Sequence, residues 1–319
     1  MIPAGGRSAR HAQGASLTHP DELRAAARAW IADDPDPAGR AELSALLADH
    51  LLRHEPDPGR RLLVTTVVSA GLLGRMAAAA GAGYAETLTG FKWIMRAAEP
   101  GRVFLFGYEE ALGYAVTGLV RDKDGISAAV ALAAAAEAKA AGGSLATRLD
   151  KLACRFGLFA TGQFAVDLAG GGRAGEAGAA LLETARAKPP RSLDGAPVAV
   201  TDDYGMGLRT REDGSTDPLA LPRSDVIIWR CADGTRVALR PSGTEPKVKV
   251  YWQVVLPAIG GLAPPRAQAA RRLAELRKEV TNGGAEPLTT PRPEGRGFQP
   301  SPAGVPVSPP AAPGRTRNV

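Results

Sequence analysis

The stretch "RLLVTTVVSAGLLGRMAAAAG", residues 61–81, decides the fold. Its first ten residues are apolar and β-branched and read as a short strand. The rest, rich in Leu, Met and Ala, reads as a helix of about ten residues. Working outward, "AETLTGFKWIMRAA" (85–98), "RVFLFGYEEALGY" (102–114) and "DGISAAVALAAAAEAKAAGG" (124–143) continue the alternation of strand and helix. That order is the α/β signature of a parallel sheet.

Further on, the grain changes. Residues 145–280 read as a smaller α+β unit: a helix, the strand "GQFAVDLA", a helix, strands near 196–201, 225–231, 235–240 and 247–256, and a closing helix "PPRAQAARRLAELRKEV". Ahead of the first strand, residues 20–60 read as a helical leader whose two helices are parted by Pro35-Asp36-Pro37. Residues 1–19 and the Pro-, Gly- and Arg-rich residues 281–319 are expected to be disordered. The predicted organisation is thus an α/β domain at 61–144 followed by a smaller α+β domain at 145–280.

Composition narrows the function classes. With 319 residues the chain has room for two domains, and at 45% apolar but only 5% aromatic its cores are built from Ala, Leu and Val. The net charge of +6 comes from arginines interleaved with acids, with no basic run carrying aromatics. An anionic small ligand therefore fits better than a nucleic acid. Two distant cysteines, Cys154 and Cys231, and the lack of an 18-residue apolar run predict a cytoplasmic protein with no membrane partner.

Several patterns read as structure. Gly170, Gly172 and Gly175 match G-x-G-x-x-G but lack the rest of a dinucleotide unit, so a strand-to-helix turn is expected. Asp34 and Asp36 sit in a proline-bounded turn, and His50 and His54 share a helix face without a third ligand; neither set reads as a metal site.

Four loops carry chemistry. Glu109 and Glu110 follow a strong strand at its C-terminal end, where open α/β sheets place ligands, and cannot both be buried unpaired. They suit either sugar hydroxyls or a helix N-terminal turn. Lys123 stands between Asp122 and Asp124 just before a long helix, either as an acid–base residue or in a surface charge cluster. Thr89, Gly90 and Lys92 form a third loop. In "RPSGTEPKVKVY", residues 240–251, Arg240, Ser242 and Thr244 supply a guanidinium and two hydroxyls around the turn at Gly243, with Lys247 next in line. That combination makes an anion nest.

"TLTGFKWI", "FGYEEALGY", "RDKDGIS" and "RPSGTEPKVKVY" occur in the order and spacing of the alpha-D-phosphohexomutases, and residues 43–280 resemble the bacterial phosphomannomutase/phosphoglucomutase branch. The resemblance implies a partial third domain and a fourth domain of a four-domain enzyme. It implies transfer of a phosphoryl group between the 1- and 6-positions of a hexose phosphate through a phosphoserine. It further implies magnesium and a glucose-1,6-bisphosphate-type activator.

By the same resemblance Lys123 is the acid–base residue, and Thr89, Gly90, Lys92, Glu109 and Glu110 contact the sugar. Arg240, Ser242, Gly243, Thr244 and Lys247 hold the phosphate that does not react. Ala111 stands where many members have serine. The chain departs from the pattern in having neither a T-A-S-H-N-P-like serine loop nor a D-x-D-x-D-R metal loop. It is therefore expected to be inactive alone, as an internally truncated mutase or, alternatively, a non-catalytic phosphosugar-binding or interaction remnant. It is expected to be a monomer, or weakly self-associating through an exposed sheet edge.

Overall fold

A computed structural model describes residues 37–137, 144–167, 174–242 and 247–282. Both chain ends, the first leader helix, Gly170, Gly172, Gly243 and Thr244 lie outside the described residues.

The first unit contains α1 (Pro37–His54), β1 (Arg61–Thr66), α2 (Leu72–Ala80), β2 (Gly83–Thr87), α3 (Phe91–Ile94), β3 (Val103–Glu109), β4 (Gly113–Ala115), α4 (Gly125–Glu137) and α5 (Leu145–Phe156). Its sheet runs β2-β1-β3-β4, with β1 parallel to β2 and β3, and β4 turned back antiparallel on β3. Successive residues of β1 point to opposite faces. Leu63 joins Phe106 and Tyr108 under Leu47 of α1, Met76 of α2, Ala128 of α4 and Leu152 of α5. Leu62 and Val64 pack on the other face against Phe91, Ile94 and Met95. Covered on both sides, β1 is buried from Leu62 to Thr66, with its apolar run at Leu62, Leu63 and Val64.

The sequence pattern extends the strand to Ala70, but β1 ends at Thr66. The reason is that Val67 and Val68 turn away to pack on the second unit. The helix after Gly142-Gly143 is likewise grouped by its pattern with the second unit, yet Leu152 of α5 is buried in the first.

The second unit comprises β5 (Leu158–Asp167), α6 (Ala174–Ala187), β6 (Ser192–Leu193), β7 (Ala196–Asp203), β8 (Leu208–Arg211), β9 (Thr216–Pro218), β10 (Ile227–Cys231), β11 (Arg236–Pro241), β12 (Lys247–Leu256) and α7 (Ala263–Asn282). Its antiparallel sheet is ordered β5-β12-β11-β10-β7-β8-β9, with β6 paired to β7. Val237, Leu239, Val250 and Trp252 face Leu182 of α6 and Leu276 of α7. The alternate residues Ala238 and Tyr251 face the other way, into a cluster with Val67, Val68, Leu88, Tyr204 and Ile228. This second cluster joins the two units. The short strands β8 and β9 escape sequence reading because "LRTR" and "TDP" are mostly exposed and carry no apolar alternation.

Polar side chains complete the junction. The buried Arg236 guanidinium donates to the carbonyls of Val67, at 3.3 Å, and Ser69. Its cross-strand partner Gln253 accepts from the Gly71 N–H at 2.8 Å and donates to the Gly234 carbonyl at 3.1 Å. Farther along, the fully buried Asp202 accepts from Arg209 at 2.5 Å and Arg230 at 2.9 Å, and Arg230 also reaches Glu86 of the first unit at 3.6 Å. Burial raises the Asp202 carboxyl, but the Arg209 and Arg230 guanidinium groups outweigh it and hold the group below the usual carboxylate range.

Both buried guanidinium contacts bear on stability. Arg236→Met removes both donors and leaves two carbonyls in an apolar junction, so urea unfolding should show a loss of about 3 kcal/mol. For Asp202 the folded carboxyl titrates below the unfolded one, so the unfolded chain takes up the proton first as pH falls through about 4. Stability from this pair is present above that pH and is lost below it. Asp202→Asn should lower stability by about 2 kcal/mol at pH 7. It should also flatten the fall in urea midpoint between about pH 4 and 3; an unchanged fall would assign the acid sensitivity elsewhere.

Candidate functional site

Parallel strands collect their loops at one end. At the C-terminal ends of β1, β2 and β3 lie residues 67–71, Leu88 to Gly90, and the Glu109-Glu110 pair. This is the end of an open α/β sheet that offers a ligand crevice. Because Val67, Val68 and Leu88 pack on Ala238 and Tyr251, the same end faces β11 and β12 of the second unit.

The two glutamates are both buried and both paired, with different partners. Glu109 Oε1 forms an ion pair with Lys123 Nζ at 2.7 Å, and its Oε2 accepts from the Gly90 N–H at 3.2 Å. Glu110 turns inward, where its Oε1 accepts from the Ala70 N–H at 2.6 Å. Glu110 thus supports the loop, while Glu109 stands at the crevice.

Lys123 arrives from the segment between β4 and α4. The Asp124 N–H donates to the Tyr114 carbonyl at 2.7 Å, tying that segment to the edge strand. The Asp124 side chain accepts from the N–H groups of Ile126 and Ser127 at the start of α4, and its bonds to Ser127 hold its carboxyl below the usual range. Between these anchors Lys123 crosses Gly113, where a Cβ would come within 2.8 Å of its Cε. Its Nζ also donates to the Ala111 carbonyl at 3.1 Å. These two contacts use two of the three ammonium donors and leave one for a ligand. The lysine is partly exposed and Glu109 is not, so the pair presents its cationic end to solvent.

Gly90 holds φ +111°, a conformation that favours glycine, and this aims its N–H at Glu109. Thr89 is half-buried beside it. Lys92 is exposed on α3 with its Nζ 5.8 Å from the Trp93 ring centroid.

From the second unit, Arg240 and Ser242 come at the end of β11. Arg240 is half-buried opposite Lys249 and shares a hydrogen bond with Tyr251. The buried Ser242 donates its N–H to the Lys247 carbonyl at 2.7 Å, at the end of the β11–β12 pairing. Burial pushes the Tyr251 phenol up, Arg240 pulls it down, and the carboxylates of Glu109 and Glu110 push it up again. Tyr251 is therefore where the influence of the Arg240 loop and of the Glu109 loop meet.

Sequence reading did not single out Arg236, Tyr251 or Gln253. The usable signal was polar residues inside apolar strands, at positions 236 and 253 that pair across the sheet.

The magnesium that the resemblance implies would need a group of oxygen donors. Among the described residues no three His, Cys, Asp or Glu side chains are grouped so as to hold a metal ion. His54 Nδ1–H donates to the His50 carbonyl, 2.8 Å away, with the two ring centroids 4.4 Å apart. Both thiols are free, Cys231 buried and Cys154 exposed. No helix among the described residues is long and apolar enough to cross a membrane.

Comparison with known proteins places this geometry. Residues 41–156 match the model of the phosphoglucomutase/phosphomannomutase alpha/beta/alpha domain III. A phosphoglucomutase of Staphylococcus epidermidis is 32% identical over 219 residues, covering 66% of this chain and 39% of that one. A probable phosphomannomutase of Haemophilus influenzae is 37% identical over 168 residues, 52% of this chain and 30% of its own length. Among solved structures, the open form of the Paramecium phosphoprotein pp63/parafusin, a phosphoglucomutase, superposes with a TM-score of 0.49 at 19% identity over 79% of this chain and 43% of that one. The chain spans about two fifths of the length of the phosphoglucomutase relatives it matches. The chain belongs to the alpha-D-phosphohexomutase family.

Proposed function

We propose that this chain binds a hexose phosphate in the crevice between its two units and contributes the sugar-reading, acid–base and phosphate-holding side of a phosphoglucomutase/phosphomannomutase. The observation that carries this reading is the Lys123–Glu109 pair, 2.7 Å apart, with the Gly90 N–H on the second carboxylate oxygen. An ionised carboxylate is an acceptor only and suits the hydroxyls of a sugar ring. An ammonium fixed beside it can give a proton to the oxygen that loses the phosphoryl group, and the amine so formed can take one from the hydroxyl that receives it. Arg240, with Ser242, Gly243, Thr244 and Lys247, supplies the cationic, hydroxyl and backbone donors that a phosphate needs.

In the exchange the phosphorus leaves one oxygen and bonds to another, while the accepting hydroxyl gives up its proton. Positioning and charge stabilisation supply most of the catalysis in such transfers. Magnesium, bound to a complete enzyme, would offset the developing charge. No step is assigned to it in this chain, because the described residues offer it no donor set. The 319 residues also lack a T-A-S-H-N-P-like serine loop. This chain assayed by itself is accordingly expected to bind hexose phosphate without turning it over.

Titration calorimetry with glucose 1-phosphate and mannose 1-phosphate tests the binding. Arg240→Ala should weaken it roughly tenfold to a hundredfold through loss of a charge-assisted contact. Glu109→Gln, which keeps the shape but frees Lys123 from its ion pair, should weaken it roughly tenfold. Binding unaffected by either change would overturn the site. A coupled assay with magnesium and a sugar bisphosphate primer tests the rest, and turnover at an ordinary mutase rate of about 10 s⁻¹ or more would overturn the inactivity.

A further inference from the structure

The hairpin of β3 and β4 brings three different features to one lysine. Glu109 supplies a carboxylate and Ala111 a carbonyl, which Lys123 Nζ meets at 2.7 and 3.1 Å. The third feature is Gly113, and what it supplies is room. Gly113 lies directly across from Glu109 in the antiparallel register, and residues so paired carry their β positions on one face of the sheet. That face also holds Ala115 and Phe91, whereas Tyr114 points the other way, into the cluster around Leu63 and Tyr108.

Lys123 comes to this face from outside the sheet. β4 is the edge strand, and the Asp124 N–H is tied to the Tyr114 carbonyl at 2.7 Å, so Lys123 starts beside β4. Glu109 stands one strand further in, about 4.8 Å away by ordinary strand spacing. The lysine stem therefore has to cross β4. It does so at Gly113, which is buried although it lies on the edge strand.

A Cβ at position 113 would stand 2.8 Å from Lys123 Cε, 3.0 Å from Glu109 Cγ and 3.0 Å from Phe91 Cδ2. Carbon atoms pack at about 3.5–4.0 Å, so one of these groups must move. Phe91 is buried and Glu109 is held by the Gly90 N–H, while Lys123 is partly exposed. The lysine is the group that gives way. Gly107, on the same face, makes the contrast: a Cβ there would meet Ile94 Cγ2 at 2.5 Å and the Phe104 ring, so that glycine serves packing.

We infer that Gly113 is a positioning residue. Its missing side chain is the groove through which Lys123 reaches Glu109, and a side chain there turns the ammonium out to solvent. The inference rests on the function proposed above for its chemical consequence, since a hexose phosphate would then meet the carboxylate without its ammonium.

The test is a double-substitution cycle on the full chain. An ammonium has three donors and no lone pair, so one held by a carboxylate and a carbonyl acylates slowly. Trace acylation with acetic anhydride, read by mass spectrometry of the Lys123 peptide, reports that engagement, with Lys278 of α7 as internal reference. Gly113→Ala should speed acylation of Lys123 about tenfold, the worth of one charge-assisted hydrogen bond, and Glu109→Gln should do the same. With Glu109→Gln in place, Gly113→Ala should add less than about twofold. Calorimetric binding of glucose 1-phosphate should weaken in the same pattern.

Unchanged acylation in Gly113→Ala overturns the proposal, as does equal acceleration at Lys123 and Lys278. Glucose 1-phosphate binding that keeps its full strength while Lys123 is freed also overturns it. If Gly113→Ala does not fold, its combination with Lys123→Ala decides, and should fold as Lys123→Ala alone does. A double variant that stays unfolded assigns the glycine to packing on Phe91 and overturns the proposal. The acylation cycle needs no sugar, so failure of the parent chain to bind hexose phosphate counts against the function proposed above and leaves the role of Gly113 to be decided by acylation.

Discussion

Residues 67–71 have no regular secondary structure, and their backbone groups lie between two packed units, away from water. A buried N–H or carbonyl left unpaired costs about as much as a lost hydrogen bond. Arg236 serves the carbonyls of Val67 and Ser69, Glu110 serves the N–H of Ala70, Gln253 that of Gly71, and the Tyr108 hydroxyl donates to the Ala70 carbonyl at 3.3 Å. The donors and acceptors come from β3 and the turn that follows it in one unit and from β11 and β12 of the other. Holding this loop is therefore the same act as holding the units together, and the crevice beside Glu109 exists because they are held.

Charge placement at the junction obeys the same constraint. Arg236 and Glu110 are both buried, and neither is tolerable without compensation. Burial and the nearby Arg230 lower the Arg236 guanidinium below its ordinary value, while Glu86 and Glu110 oppose that change. The backbone of residues 67–71 supplies the hydrogen bonds that complete the compensation. Glu109, one residue from Glu110, is free for a different task because strand alternation sends adjacent side chains to opposite faces. The division of labour between the two glutamates thus follows from their place at the end of β3, Glu109 its last residue and Glu110 the first of the turn.

Much of this was legible beforehand. The alternation of strand and helix from 61 to 137 rests on apolar runs that local sterics and burial both favour, and the observed elements match it. The loops at 87–94, 106–114, 121–127 and 240–251 were readable because Gly, Glu, Lys, Arg and Ser interrupt those runs where strands end. Less readable was where β1 stops. Val67 and Val68 are as apolar as the strand before them, and only the surface of the second unit, at Ala238 and Tyr251, explains why they leave the sheet. The mostly exposed strands β8 and β9 left no hydrophobic trace for the opposite reason, since their sheet neighbours and not their burial define them.

The sequence by itself determined the composition of each loop and the order of the elements, because propensity and hydrophobic period act over a few residues. It also determined that two adjacent carboxylates would sit at a strand end and one lysine just before a long helix. Tertiary structure alone decided that Glu109 pairs with Lys123, fourteen positions along the chain, while Glu110 pairs with the backbone of Ala70. It alone decided that Arg236 and Gln253, inconspicuous in their strands, clasp a loop more than 160 residues away. Such pairings depend on which surfaces meet once each sheet has buried one face, and no local pattern encodes that meeting.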